Sequence, residues 1–157
     1  MIDIETVRTA VTRTACRATE RPGGHIPRFA GVPDPSNPDA VTVIIGPCSV
    51  SFTTFVEQVI AMYPAAPFIV AAAFGHLLDV TPEEAPNVTA EQIAERIDTR
   101  IGVMTAVIEG GEMALWATER SVADDGSVQW GESYLAQPAG PWSSGLPEVA
   151  RRRAAGN

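Results

Sequence analysis

The chain contains no lysine. Its 11 basic residues are all arginine and stand against 19 acids, for a formal net charge of −8. A compact acidic protein is repelled by phosphate backbones, which argues against sequence-specific nucleic-acid binding. The same repulsion serves where DNA must slide past without sticking. Cysteine is scarce too. Cys16 and Cys48 are too few and too far apart for a disulfide framework or a zinc site, and both read as small apolar packers. The two histidines, His25 and His76, form no i, i+4 metal pair. No stretch reaches the ~18–20 apolar residues of a membrane span. The opening MIDIETVRTAV lacks a basic segment followed by an apolar core, so no secretory signal is expected.

What is present suits a single domain: 157 residues, 45% of them hydrophobic. Residues 41–50, VTVIIGPCSV, form a short β-branched run that reads as a buried strand ending at Gly46-Pro47. GPCSV also resembles the end of the first barrel strand in synthases of 3-deoxy sugar-acid phosphates, where the cysteine is a metal ligand. An eight-stranded parallel barrel needs about 250 residues, so that reading fails on length. The plainer reading is a strand-ending turn. A second enzymatic alternative makes Cys48 a nucleophile with either histidine as base, but no nucleophile-elbow pattern surrounds it.

Along the chain, Asp3 is a candidate cap for a first helix, with Ile4, Val7, Val11, Ala15 and Ala18 as its apolar stripe and Pro22-Gly23-Gly24 as its stop. Residues 26–31 fit an edge strand, because the nearby prolines exclude a central one, and 32–39 fit an exposed connector. Thr54 and Glu57 suit a capping box for a helix over 54–63, although 49–52 could instead extend a strand. PFIVAAAFG reads as another buried strand. Thr89 and Gln92 form a second capping box, and Ile93, Ile97, Ile101, Met104 and Ile108 make a stripe that predicts one long helix ending at Gly110-Gly111.

Asp124-Asp125-Gly126 then separates two strand-like runs and predicts a hairpin. With Asp125-Gly126 as the loop, Leu115, Ala117, Val128, Trp130 and Tyr134 share one face, opposite Arg120, Gln129 and Ser133. The expected architecture is α+β. A small mixed or antiparallel sheet carries an N-terminal helix and a second long helix, and the domain ends in a β-hairpin at residue 137. Residues 138–157, rich in Pro, Gly and Ser and ending in arginines, read as a loose tail. Neither a cofactor nor a metal is expected. The acids at Glu83, Glu84, Glu91 and Glu95 are more simply dipole-favourable and solvated than cation-binding.

The run from the first helix through GVPDPSNPDAVTVIIGPCSVSFTTF resembles the amino-terminal part of tail terminator proteins of long-tailed bacteriophages. Val32-Pro33-Asp34, Asn37-Pro38, Val41 to Pro47 and Ser49-Val50-Ser51-Phe52 stand where that family carries its corresponding segments, and the likeness in order extends over residues 2 to 137. The resemblance implies a virion structural protein and not an enzyme, assembled in the host cytoplasm. It would form a homohexameric ring that caps the head-proximal end of the tail tube and joins it to the head connector. Its partners would be copies of itself, the tail tube protein and a head-completion protein, with DNA passing through unbound and no membrane involved. Under that reading Glu83, Glu84, Glu91, Glu95 and Asp98 are candidates for an acidic bore, and Arg151, Arg152 and Arg153 for contacts with a neighbour. The alternatives are another head–tail joining or neck protein, or a small cytosolic α+β enzyme or ligand-binding domain using Cys48.

Overall fold

The computed structural model of the chain describes residues 1–20, 26–79, 81, 83–96, 100–138 and 143–156. It is α+β. Helix α1 spans Ile4–Glu20, followed by strands β1 (Arg28–Asp34) and β2 (Asn37–Gly46), helix α2 (Phe52–Met62) and strand β3 (Phe68–Leu77). A 3₁₀ turn at Ala85–Asn87 leads to a short α3 (Ala90–Glu95) and then to β4 (Arg100–Glu109) and β5 (Glu112–Val122). Two short strands, β6 (Val128–Trp130) and β7 (Tyr134–Ala136), precede the last helix, α4 (Leu146–Ala154). The sheet order is β2-β1-β3-β4-β5-β6, with β7 also on β5, and every pairing is antiparallel.

Alternation along the strands sends side chains to two cores. On one face Phe29, Val70, Ala72, Val103 and Val107 pack against Val7, Val11, Ala15 and Cys16 of α1. On the other, Ala30, Ile69, Ala71, Ala106, Ile108 and Leu115 meet Phe52, Phe55, Val56 and Val59 of α2 together with Leu146, Val149 and Ala150 of α4. The interior strands are thus covered twice, which is why they carry near-continuous apolar runs.

The first helix and the strand PFIVAAAFG stand where expected. Asp3 Oδ1 accepts the Thr6 amide at 2.7 Å, and α1 ends at Glu20, but the Pro22-Gly23-Gly24 stop lies outside the described residues. The second helix also forms, although its cap is Ser51, whose hydroxyl accepts the Thr54 amide at 3.2 Å; Thr54 lies inside the first turn. The capping box of Thr89 and Gln92 is present, with both reciprocal bonds.

Several expectations are corrected. The single helix over 89–109 does not form: its capped start stops at Glu95, and Arg100–Glu109 is a central strand. There, β-branched and small residues such as Val103, Thr105, Val107 and Ile108 pack alternately on both faces, so burial overrides the i, i+4 stripe. Gly110-Gly111 is accordingly a two-residue hairpin loop between the paired Glu109 and Glu112, with Gly110 at φ 59°.

The order of the first two strands is inverted relative to expectation. β1, with Pro33 near its end, lies inside the sheet, because its pairing to β3 uses only Phe29 to Gly31, ahead of the proline. The apolar β2 is the edge, and Val43 and Ile45 face outward instead of being buried.

The hairpin at 123–127 exists, with a register one residue from the predicted one. Arg120 pairs with Trp130 and Val122 with Val128, closed by Ala123 N–H to Ser127 O at 2.9 Å and Gly126 N–H to Ala123 O at 2.9 Å. This is a three-residue loop with Gly126 at φ 86°. The shift moves Val128 and Trp130 to the α1 face beside Arg120, away from Leu115 and Ala117. Between β6 and β7 the register along β5 changes by one again, which returns Tyr134 to the Ala117 side.

Finally, residues 146–154 are no loose tail. Pro147 in the first turn, Glu148 near the amino end and arginines in the last turn suit a helix, and Leu146, Val149 and Ala150 are buried in the core.

Candidate interaction surfaces

The turn after β2 shows why GPCSV has a glycine. A Cβ on Gly46 would stand 2.6 Å from the Phe55 ring of α2, so the glycine is the gap into which that ring packs. Cys48 follows on the turn, half-buried, while the guanidinium of Arg28 reaches over the same segment to the Val50 carbonyl at 3.2 Å. Burial pulls the Arg28 pKa below its ordinary value. Cys16, in contrast, lies beneath α1, and burial pushes its thiol up to about 11, with Glu20 adding to the shift. It is therefore an inert packer. His76 is exposed near the end of β3, and His25 lies outside the described residues.

A cleft of about 230 Å³ opens where His76 to Asp79, Arg100, Tyr134 and Ser143 meet. Its charge is internally matched: Arg100 bridges Asp79 at 2.9 Å and Glu119 at 2.8 Å. Burial works against the Arg100 charge, but Tyr134, Glu119 and Asp79 outweigh it and hold its pKa above the ordinary value. With its two terminal nitrogens on two carboxylates, Arg100 clamps the ends of β3, β4 and β5 and leaves little positive potential for an anionic substrate. Among the described residues, no group of three or more His, Cys, Asp and Glu side chains comes together as a metal site.

The candidate acids lie on one connecting stretch. Glu83 and Glu84 sit at the turn into the 3₁₀ segment, and Glu91 and Glu95 lie on α3; all four are exposed. Asp98 lies outside the described residues. Glu83, Glu84 and Glu95 rim a shallow depression of about 650 Å³ together with Asn87, Gln92 and Arg96. Glu84 is tied to Thr81, whose hydroxyl donates to its carboxylate at 2.9 Å, and Arg96 donates to the Asp79 carbonyl at 2.9 Å.

The three C-terminal arginines do not act as a unit. Arg153 points inward, donating to the carbonyls of Ala66 and Gly110, and so stitches α4 to two loops. Arg151 pairs with Glu148 one turn earlier. Arg152 is exposed beside Glu57, Ile60 and Pro64, along the groove between α2 and α4.

The feature that no residue motif announced is the pair of sheet edges. Val43 and Ile45 on β2, and Val122, Tyr134 and Leu135 on the β5–β7 side, make up most of the large exposed hydrophobic side chains. The exposure of β2 could not be read from its composition, because a buried strand and an uncovered one look alike in sequence.

Among the described residues no helix is long and apolar enough to cross a membrane. Comparisons with family models, with curated proteins and with solved structures return no match to this chain.

Proposed function

We propose that the chain is a structural protein of a phage virion, a tail terminator that assembles into a homohexameric ring on the head-proximal end of the tail tube and joins it to the head connector. The observation that carries the reading is β2. The segment that resembles the family, from Val32-Pro33-Asp34 through Pro47, forms an interior strand and then an apolar edge strand left open to a neighbour. An exposed hydrophobic edge is an aggregation hazard unless something pairs with it or covers it, and a subunit of a closed ring meets that need.

The charge pattern suits the same role. Glu83, Glu84, Glu91 and Glu95 give an exposed acidic stretch that would line a bore past which DNA slides, and Arg151 and Arg152 are left to meet a neighbour or the tail tube protein. The work assigned to the chain is assembly and not catalysis.

Negative-stain imaging of the purified protein, alone and mixed with headless tails, tests this. Six-fold rings, and density added at one end of the tube, are expected. A chain that stays monomeric and leaves tails unchanged would sink the reading.

A further inference from the structure

We propose that successive copies join edge to edge into one continuous sheet, the β2 edge of one copy pairing antiparallel with the β6–β7 edge of the next. The inference deepens the ring reading above and rests on it for closure.

Among the described residues, both edges are open. Among the described residues, the one backbone hydrogen bond that reaches β2 from outside its pairing with β1 is Ile2 N–H to Pro38 O, at its first residues. Among the described residues, none reaches β6 or β7 from outside the pairing with β5. On β2 the usual guards, Pro38 and Asp39, are confined to its first residues, and on the other edge they are the shortness of β6 and β7 and a single carboxylate. From Ala40 to Gly46 there is no charge and no proline, and from Val128 to Ala136 the one charge is Glu132.

The edges also match by face. Val43 and Ile45 alternate with Ile44 and stand opposite Gly31 and Phe29, which puts them on the α1 face. Leu135 stands opposite Trp116, and Val122 follows Trp116, Thr118 and Arg120 in alternation, so both lie on that face too. Exposure is 52% and 66% for Val43 and Ile45, and 60% and 65% for Val122 and Leu135. A sheet continued from copy to copy keeps its α1 face, and Ile45 and Leu135 stand on one row across the strands, so Val43 and Ile45 meet Leu135 on one side and lose water together.

Strand direction agrees. Six positions cross the sheet (β2, β1, β3, β4, β5 and the shared β6–β7 line), and all neighbours are antiparallel. An even count makes the two outer strands antiparallel, so a second copy in the same orientation presents β6–β7 to β2 in the sense that every other pair already has. Pairing β2 with β2 across a two-fold axis would satisfy one edge and leave Leu135 in water. The head-to-tail contact covers both patches with one repeated interface, and such contacts generate rings or filaments.

The test places cysteines at Ile45 and Leu135 in a Cys48→Ala background, using a short bis-maleimide linker that tolerates a register uncertainty of one or two residues. Cys16 is buried and stays silent. The double variant should give a ladder of covalent oligomers on a denaturing gel, and each single variant only monomer. Dimers from Ile45→Cys alone would show β2 pairing with itself and overturn the proposal. In parallel, Val43→Arg and Leu135→Arg, each keeping the native circular dichroism, should abolish assembly by light scattering; assembly retained by both would also overturn it. The outcomes separate the two claims. Closed rings without a ladder overturn the edge contact and leave the ring reading standing. A ladder that runs into open filaments sustains the contact and overturns closure. A chain that stays monomeric beside tails overturns both.

Discussion

Two ten-residue strands, β4 and β2, are both apolar and have opposite fates. β4 is sealed from Gly102 to Ile108 by helices on both faces, while β2 leaves Val43 and Ile45 in water with one neighbour strand instead of two. The apolar content of β4 is consumed by the fold. That of β2 exceeds what the fold uses, and the excess points outside the chain. Substitution should therefore damage stability at β4 and association at β2.

The largest effect is expected from Ile108→Ala, which removes a fully buried side chain between β4 and the α2–α4 layer. A loss of about 2–5 kcal/mol follows from the cavity, read as a lowered denaturant midpoint. A loss below 1 kcal/mol would mean that β4 is not sealed.

Next comes Thr12→Val. The Thr12 and Thr105 hydroxyls are buried and 2.7 Å apart, the polar stitch between α1 and β4. Leaving Thr105 unpaired should cost roughly 1–3 kcal/mol, whereas the Thr12→Val/Thr105→Val pair should recover most of it. A double variant as weak as the single one would contradict the stitch.

A smaller effect comes from pH. With its pKa raised to about 11 from 9.0, the Cys16 thiol is held protonated by the fold more firmly than by the unfolded chain. Its contribution is fully present below pH 9.0 and is lost as pH rises through about 11. Stability measured across that window should fall, and Cys16→Ala should fall less steeply.

The smallest stability change is expected on β2. Ile45→Thr keeps a β-branched side chain at an exposed site and should shift the midpoint of the dispersed chain by no more than about 0.5 kcal/mol. The same variant should raise the concentration needed for assembly. An effect on melting comparable to that of Ile108→Ala would erase the contrast between the strands.

That contrast also explains what could be read in the sequence. Helix α1 was legible because its cap, stripe and polar side are all local. β4 was misread because two-sided burial removes alternation, and Ile93, Ile101, Met104 and Ile108 then mimic a helical stripe. β2 was misread in the opposite sense: its composition is that of a covered strand, and coverage is decided by topology. Helix α4 had a signal in Leu146, Val149, Ala150 and Arg153 behind Pro147, but the glycines and prolines before it suggested disorder. The hairpin loop was found from Asp124-Asp125-Gly126, yet its face assignment failed on a single residue of register, to which turn composition is blind. Glu83, Glu84, Glu91 and Glu95 are exposed, as their sequence context suggests, whereas the inward turn of Arg153 depends on two carbonyls far away in sequence.

The attachment of α1 has a consequence for how the chain folds. Thr12 meets Thr105 across 93 residues of sequence, and the Trp130 indole donates to Glu20 across 110. The β4–β5 hairpin, by contrast, closes through a two-residue loop. Loop closure over such spans is slow relative to hairpin formation, so the expected order is the β4–β5 hairpin first and the contacts of α1 with β4 and β6 after it. Trp116 lies under the Arg8 guanidinium, 3.9 Å from ring centre to charge, so its fluorescence reports the arrival of the helix more than the zippering of the strands.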